Sequence, residues 1–260
     1  MNANAHPAWL FDLGNSRLKG ALLIDEELAR PFVLEWGALD FDAVLCTKLA
    51  HWPAPSRVLV ASVAASERAA RLREALRGWP DVNMEWLLSP RERCGIVNSY
   101  RVPERLGIDR FLAMAAARAA ANDDAAIVIG CGTALTLDAV DKQGTHREGM
   151  IAPSSALMID ALRRATAIGD ANPRAFNEDD SDDTARAIDA GCAHAAAALV
   201  EWFHARQAAA LGAPCLWLHG GGSMSLQALL EQGESRDRTR MLDDAVLRGL
   251  ALWAVSERTA

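Results

Sequence analysis

The chain has 260 residues, enough for one large domain or two of about 130, each able to bury a core. Hydrophobic residues make up 51% and charged residues 23%, a globular balance without any membrane-length apolar run, so neither a disordered nor a membrane-spanning chain is expected. With 27 basic against 34 acidic residues, a net charge of −7, general attraction to nucleic acid or anionic lipid is not expected, and any phosphate has to be held by local groups. From the N-terminus, Trp9 to Leu13 and Leu18 to Leu23 are short apolar runs joined by Gly14, Asn15 and Ser16, which predicts a β-hairpin. Phe32 to Trp36 adds a third strand, Leu39 to Leu49 a helix and Arg57 to Ser62 a strand. Ala64 to Arg77 reads as a helix ended by Gly78 and Pro80, and Met84 to Leu88 as another strand. Leu106 to Ala121 is rich in strong helix formers and closes at the polar Asn122, Asp123 and Asp124, the expected domain boundary.

After that break the pattern restarts. Ala125 to Ile129, Ala134 to Val140 and His146 to Ile151 read as strands and Ser154 to Arg164 as a helix. Asn172 to Asp183 is polar and acidic and is expected to be a mobile loop before a long alanine-rich helix from Thr184 to Leu211. Cys215 to His219, Ser223 to Gln232, Thr239 to Leu242 and Asp244 to Glu257 then alternate strand and helix. Each half, 1–122 and 123–260, therefore runs three strands, helix, strand, helix, and each opens on a hairpin with a glycine-bearing turn. The fold class expected is α/β: two actin-like (ribonuclease H-like) domains facing a nucleotide cleft, with the two turns at its floor.

Five widely spaced cysteines, Cys46, Cys94, Cys131, Cys192 and Cys215, cannot all pair within the chain and include no C-x-x-C, which fits a reduced cytoplasm. Met1 to Pro7 shows neither a basic n-region nor an apolar h-region, so no export signal is expected.

Four segments could carry chemistry. In "DLGNSRLK", Asp12 to Lys19, a carboxylate ends a strand and a tight turn follows; the turn can present N–H groups to phosphate and Asp12 can hold Mg2+ through water. The same residues also make an ordinary hairpin turn. "GCGTALTLD", Gly130 to Asp138, offers Gly132, Thr133 and Thr136 for a second phosphate contact, although threonine is also simply a good strand former. "HGGGS", His219 to Ser223, lies between a strand and a helix, where N–H groups favour an anion, or where a plain turn suffices. "YRVPERLGIDR", Tyr100 to Arg110, puts Asp109 and Arg110 at a helix start: the first could deprotonate a hydroxyl, the second could pair with a carboxylate or phosphate, and acidic residues also favour helix starts for dipole reasons.

Together these segments resemble the type III pantothenate kinases of the acetate and sugar kinase, Hsp70 and actin superfamily. The match runs in order along nearly the whole chain: "DLGNS" like the first phosphate motif, "Y-x-x-P-x-x-L-G-x-D-R" like the pantothenate motif, "GTALTLD" like the second phosphate motif, then "G-M-I-A-P" at Gly149 to Pro153, "D-T-x-x-A-I-x-x-G" from Asp183, the glycine turn at Gly220 to Gly222, and "VLRGL" at Val246 to Leu250. The resemblance implies phosphoryl transfer from ATP to the primary hydroxyl of pantothenate, the first step of coenzyme A synthesis. It implies Asp109 as general base and Tyr100, Gly107, Ile108, Asp109 and Arg110 as substrate contacts, with Thr184 near the substrate across a homodimer. It likewise implies Asp12 near Mg2+, and Gly14, Asn15, Ser16, Lys19, Gly132, Thr133 and Gly221 as ATP contacts.

Three positions depart from the family pattern. Gly130 stands where an aspartate associated with a monovalent cation, potassium or ammonium, is usual; Glu148 replaces the first glycine of a Gly-Gly pair; and Ser154 replaces a closing glycine. Elsewhere, His194 and His204 lie ten apart with no metal-ligand spacing, so no zinc is expected. Asp179, Asp180, Asp182 and Asp183 read as a solvated acidic loop, and the scattered tryptophans as packing residues. Two rival readings are another kinase or phosphatase on the same scaffold, and a non-catalytic accessory regulator. Retention of Asp12, Asp109, Arg110 and Thr133 together favours the enzyme.

Overall fold

The structure, a computed structural model, describes residues 7–166, 184–212, 214–233 and 235–256. They divide into two compact units: one runs up to Ala120 and takes in Asp244 onward, the other is Ala121–Asp243.

In the first unit, β1 (Ala8–Leu13), β2 (Arg17–Ile24) and β3 (Glu27–Glu35) form an antiparallel meander, followed by α1 (Phe41–Ala50), β4 (Arg57–Ser62), α2 (Ser66–Ala75) and β5 (Asn83–Trp86). The sheet order is β3-β2-β1-β4-β5, with β4 parallel to both β1 and β5. Alternation of side chains along β1 sends Trp9, Phe11 and Leu13 into a cluster with Phe41, Leu45 and Leu49 of α1 and Ala69 and Leu72 of α2. Leu10 lies on the other face and is also fully buried, because the strand is covered on both sides. Trp9 meets Trp52 and Trp79 edge to face at 5.2 and 4.7 Å and donates its indole N–H to the Pro53 carbonyl.

The third strand begins well before the expected Phe32. The reason is a two-residue turn at Asp25 and Glu26, both at positive φ (49° and 69°), which joins β2 to β3 without the glycine that normally announces such a turn. A further short hairpin, β6 (Glu92–Arg93) and β7 (Ile96–Val97), turns on Cys94 and Gly95. A 3-10 turn at Pro103–Arg105 then leaves Leu106 extended, so α3 (Ile108–Ala120) starts two residues later than expected, with Phe111 N–H donating to the Gly107 carbonyl.

The second unit repeats the plan with β8 (Ala126–Cys131), β9 (Ala134–Val140), β10 (His146–Pro153), α4 (Ser155–Ala165), α5 (Thr184–Leu211), β11 (Cys215–His219), α6 (Ser223–Leu230) and β12 (Thr239–Met241). Its sheet order, β10-β9-β8-β11-β12, is the first sheet's order strand for strand. The expected acidic loop at 172–183, with Asp179, Asp180, Asp182 and Asp183, lies outside the described residues.

The expected division at 122/123 needs one correction. The last helix, α7 (Ala245–Ser256), belongs with the first unit, packed on α3 and β1. Gly249 makes this possible: a Cβ there would collide with the backbone of Leu112, so glycine lets the two helices approach closely. All five cysteines are free, and no described helix is long and apolar enough to cross a membrane.

Candidate active site

The first glycine turn closes the β1–β2 hairpin. Gly14 donates its N–H to the Arg17 carbonyl at 3.0 Å, while Trp36 supplies its backbone N–H to the Ser16 carbonyl and its indole N–H to the Gly14 carbonyl. Trp36 thus satisfies the carbonyls of the turn, and Asn15 and Ser16 form its exposed tip. The Gly14 N–H is engaged inside the turn. Arg68 reaches Asn15 Oδ1 at 3.3 Å, adding a cation beside the tip.

Asp12 and Lys19 sit directly opposite each other on β1 and β2. Burial pushes the Asp12 carboxyl up to about 7; Lys19 pulls it down, and the neighbouring carboxylates of Asp109 and Asp244 push it further up. Lys19 Nζ lies 3.5 Å from Asp244 Oδ1. Lys19 therefore faces the carboxylates of Asp12 and Asp244, while Asp109 adds negative charge on Asp12.

Asp244 was not among the residues singled out from the sequence. It stands just before α7 with φ of 50°, a left-handed conformation uncommon outside glycine, and its carbonyl accepts the Arg248 N–H. Its strain is invisible in a residue string, and "DD" before a helix reads as a plain cap.

The "YRVPERLGIDR" segment places Asp109 in the first turn of α3. Its Oδ1 accepts the Arg110 backbone N–H at 2.8 Å, and a Cβ on Gly107 would fall 2.5 Å from that oxygen and 3.7 Å from Val63 Cγ1. Glycine at 107 is what leaves room for the carboxylate. Arg110 is buried and donates Nη1–H to the Tyr100 hydroxyl at 3.2 Å, and Ile108 is buried beside it. Tyr100, Gly107, Ile108, Asp109 and Arg110 thus come together on one end of one helix.

In the second unit the turn at Gly132 and Thr133 is exposed, and the Gly132 N–H again goes to a carbonyl of its own turn, that of Ala134. Gly222 N–H donates to the Cys131 carbonyl at 3.0 Å, and Ser223 hydroxyl to the Gly220 carbonyl at 2.7 Å, which locks the third glycine turn against the second and leaves Gly221 exposed. Burial pushes the Cys131 thiol up to about 12, so it is an inert filler. Thr184 is exposed at the start of α5, in the unit that does not hold Asp109.

The three departures have local causes. At Gly130, a Cβ would run into Thr136 Oγ1 and lie 3.2 Å from His219 Nε2, so the space a carboxylate would need is already filled. Glu148 Oε2 accepts Gln207 Nε2 at 2.5 Å and Arg206 Nε at 3.3 Å, tying β10 to α5. Ser154 caps α4, its Oγ accepting the Leu157 N–H at 3.2 Å.

The sequence profile described as type III pantothenate kinase matches residues 9–206. A type III pantothenate kinase of Stenotrophomonas maltophilia (strain R551-3) is 36% identical over 251 residues, covering 96% of this chain and 98% of the relative. One from Xanthomonas oryzae pv. oryzae (strain PXO99A) is 37% identical over 254 residues, covering 95% and 97%. Among solved structures, component A of (R)-2-hydroxyglutaryl-CoA dehydratase from Acidaminococcus fermentans superposes with a TM-score of 0.56 at 15% identity, covering 98% of this chain and 100% of that one, a likeness of fold alone.

Proposed function

The chain belongs to the type III pantothenate kinases, enzymes of actin-like fold that phosphorylate pantothenate in coenzyme A biosynthesis, and from that premise we propose that Asp109 is its general base. The reaction is transfer of the γ-phosphoryl of ATP to the primary hydroxyl of pantothenate. The hydroxyl proton passes to the Asp109 carboxylate, the hydroxyl oxygen forms a bond to the γ-phosphorus, and the bond from that phosphorus to the bridging oxygen breaks to release ADP. The products are 4'-phosphopantothenate and ADP.

The observation that carries this reading is the setting of Asp109. One oxygen is held by the Arg110 N–H and the carboxylate is packed over a glycine, so its orientation is settled before substrate arrives. The other oxygen is the one we assign to the substrate hydroxyl. Arg110, buried and partnered by Tyr100, supplies the positive charge that the carboxylate end of pantothenate requires. Asn15, Ser16 and Lys19 of the first unit, and Thr133 and Gly221 of the second, are the ATP contacts in this reading. Gly14 and Gly132 shape their turns rather than donate.

A divalent cation fits the first unit. Asp12 is largely desolvated beside two further carboxylates and a single lysine, an excess of negative charge that a dication relieves. No group of three or more ligating side chains exists among the described residues, which suits an ion such as Mg2+ that keeps most of its waters and is held by one carboxylate and the phosphates. Bound there, Mg2+ neutralises charge on the transferring phosphoryl group. A monovalent cation fits poorly: position 130 offers only its carbonyl, with Thr136 and His219 filling the space beside it. Activity titrated with potassium against tetramethylammonium at fixed ionic strength is therefore expected to rise only shallowly. A tight, steep requirement would reject this account of Gly130.

We also propose a homodimer, in which Thr184 serves the partner's substrate. Helix α4 buries none of its residues, and Leu157, Leu162 and the nearby strand residue Ile151 are exposed.

The test of the activity is direct. Purified protein with ATP, Mg2+ and pantothenate is expected to yield phosphopantothenate, detected by mass, with no phosphorylated product from glycerol, acetate or hexoses. Product from one of those substrates and none from pantothenate would replace this function with another on the same scaffold.

A further inference from the structure

Beside Asp109 the first unit has a pocket of about 140 Å³, lined by Ser62, Val63, Leu87, Ser89, Leu106 and Gly107 among others. It opens at the carboxyl ends of β4 and β5: Ser62 is the last residue of β4, and Leu87, whose N–H donates to the Val60 carbonyl at 2.9 Å, extends the β5 pairing toward Ser89. This is where open α/β sheets receive ligands. Val63 and Gly107 both border the pocket, and a Cβ built on Gly107 would lie 2.5 Å from Asp109 Oδ1 and 3.7 Å from Val63 Cγ1, so the pocket lies beside the Asp109 carboxylate. A group that fills the pocket therefore lies near the Asp109 carboxylate.

The walls are mixed, with Glu104 and Arg105 beside Val63, Leu87 and Leu106, and one polar group among them is anomalous. Ser89 is 2% exposed, and its Oγ is buried without any hydrogen-bond partner. Buried hydroxyls are almost always paired, because leaving one unpaired forfeits the hydrogen bonds it had in water. The neighbouring serine differs in this respect, since Ser62 Oγ accepts the Ala64 N–H at 3.4 Å. The position of Ser89 is also rigidly built: Asn98 Nδ2 donates to the carbonyls of Pro90 and Pro103 at 3.1 and 3.0 Å, clamping the segment that carries Ser89 to the segment that leads into α3. Such a hydroxyl, carried on a clamped backbone at the pocket wall, gains a hydrogen bond when it turns to meet a polar group that arrives with the ligand.

Resting on the assignment of pantothenate as substrate, we infer that Ser89 is a specificity residue that hydrogen-bonds the secondary hydroxyl of pantothenate. Next to the primary hydroxyl, which goes to Asp109, pantothenate carries a carbon with two methyl groups, which suits Val63, Leu87 and Leu106. The next carbon bears the secondary hydroxyl, the first polar group beyond that apolar stretch. Rotation about the Cα–Cβ bond of Ser89, among its three staggered positions, turns its Oγ to meet that hydroxyl. Sequence motifs did not single out Ser89, because a serine before a proline reads as a turn.

The test is a cycle of kcat/KM values for the unmodified protein and Ser89→Ala, each with pantothenate and with the analogue lacking only the secondary hydroxyl. The unmodified protein is expected to favour pantothenate over the analogue by about three- to tenfold or more, the range for one neutral hydrogen bond. Ser89→Ala is expected to lose that preference: its kcat/KM falls for pantothenate and stays unchanged for the analogue, with the KM for ATP unaltered and the melting temperature not lowered. Ser89→Cys, which keeps the shape with a weaker donor, should fall between the two. An equal loss on both substrates, or no loss on either, in both variants overturns the role of Ser89. Turnover of pantothenate by the unmodified protein is read separately, and its absence would overturn the substrate assignment itself.

Discussion

Asp109→Asn is expected to lower kcat by at least about 10²-fold, the lower end of what a positioned general base contributes. The structure gives reason to expect the fold to survive. The carboxamide has the shape of the carboxylate, its oxygen can still accept the Arg110 N–H now received by Oδ1, and it meets no added bulk because residue 107 is glycine. What the amide loses is the ability to take a proton from the substrate hydroxyl. The measurement is steady-state turnover with pantothenate at saturating ATP, alongside thermal unfolding. Near-normal turnover in a folded variant would remove Asp109 from the role of base and leave it as a helix-start residue.

Asp12→Asn should move stability and activity in opposite directions. In the folded protein the Asp12 carboxyl titrates near 7 rather than at its ordinary 3.8, mainly because burial penalises the charged form. A carboxyl whose pKa is raised on folding contributes its stability fully below the unfolded value. That contribution is lost as pH rises from 3.8 toward 7, and above 7 the ionised group is a standing cost. Replacing it with a neutral amide removes the loss. The stability of Asp12→Asn relative to the unmodified protein should climb between about pH 4 and 7 and then level off, by up to about 4 kcal/mol at one kcal-scale step of 1.36 per unit. Urea unfolding across that pH range checks it, and a difference independent of pH would show that Asp12 is not held neutral by its surroundings. Activity should go the other way, because the amide cannot carry the charge that a divalent cation requires. In the unmodified protein the apparent Mg2+ affinity should weaken by up to about tenfold for each pH unit below 7, as Asp12 takes up its proton. In the proposed reading the shared cause is a buried carboxylate kept for a divalent cation at a cost in stability.

Much of the architecture could be read directly from the residues. The β1–β2 hairpin followed from apolar runs on either side of Gly14, Asn15 and Ser16, and the same pattern at Gly130 to Ala134 announced the second sheet. The alternation along β1 and the helix-forming run of α3 are local properties, and local patterning is what a sequence displays. The Tyr100 to Arg110 motif is local in the same way: its residues meet within a single loop and the first turn of one helix.

The features that were not legible depend on contacts between distant parts of the chain or on backbone dihedrals that side-chain type does not announce. The start of β3 was hidden because Asp25 and Glu26 adopt a turn conformation usually signalled by glycine. The allegiance of α7 was hidden because only the meeting of Gly249 with Leu112 shows which unit the last helix completes. Asp244 reads as a helix cap until packing sets it against Lys19. Ser89 reads as a turn residue until the clamp at Asn98 leaves its hydroxyl buried and unpaired. Periodicity and turn chemistry act over a few residues and so displayed the two-sheet plan, while the ordered motifs carried the resemblance to the family. Desolvation and side-chain satisfaction exist only once the chain is folded, so the raised carboxyl of Asp12 and the unpaired hydroxyl of Ser89 were decided by the tertiary structure alone.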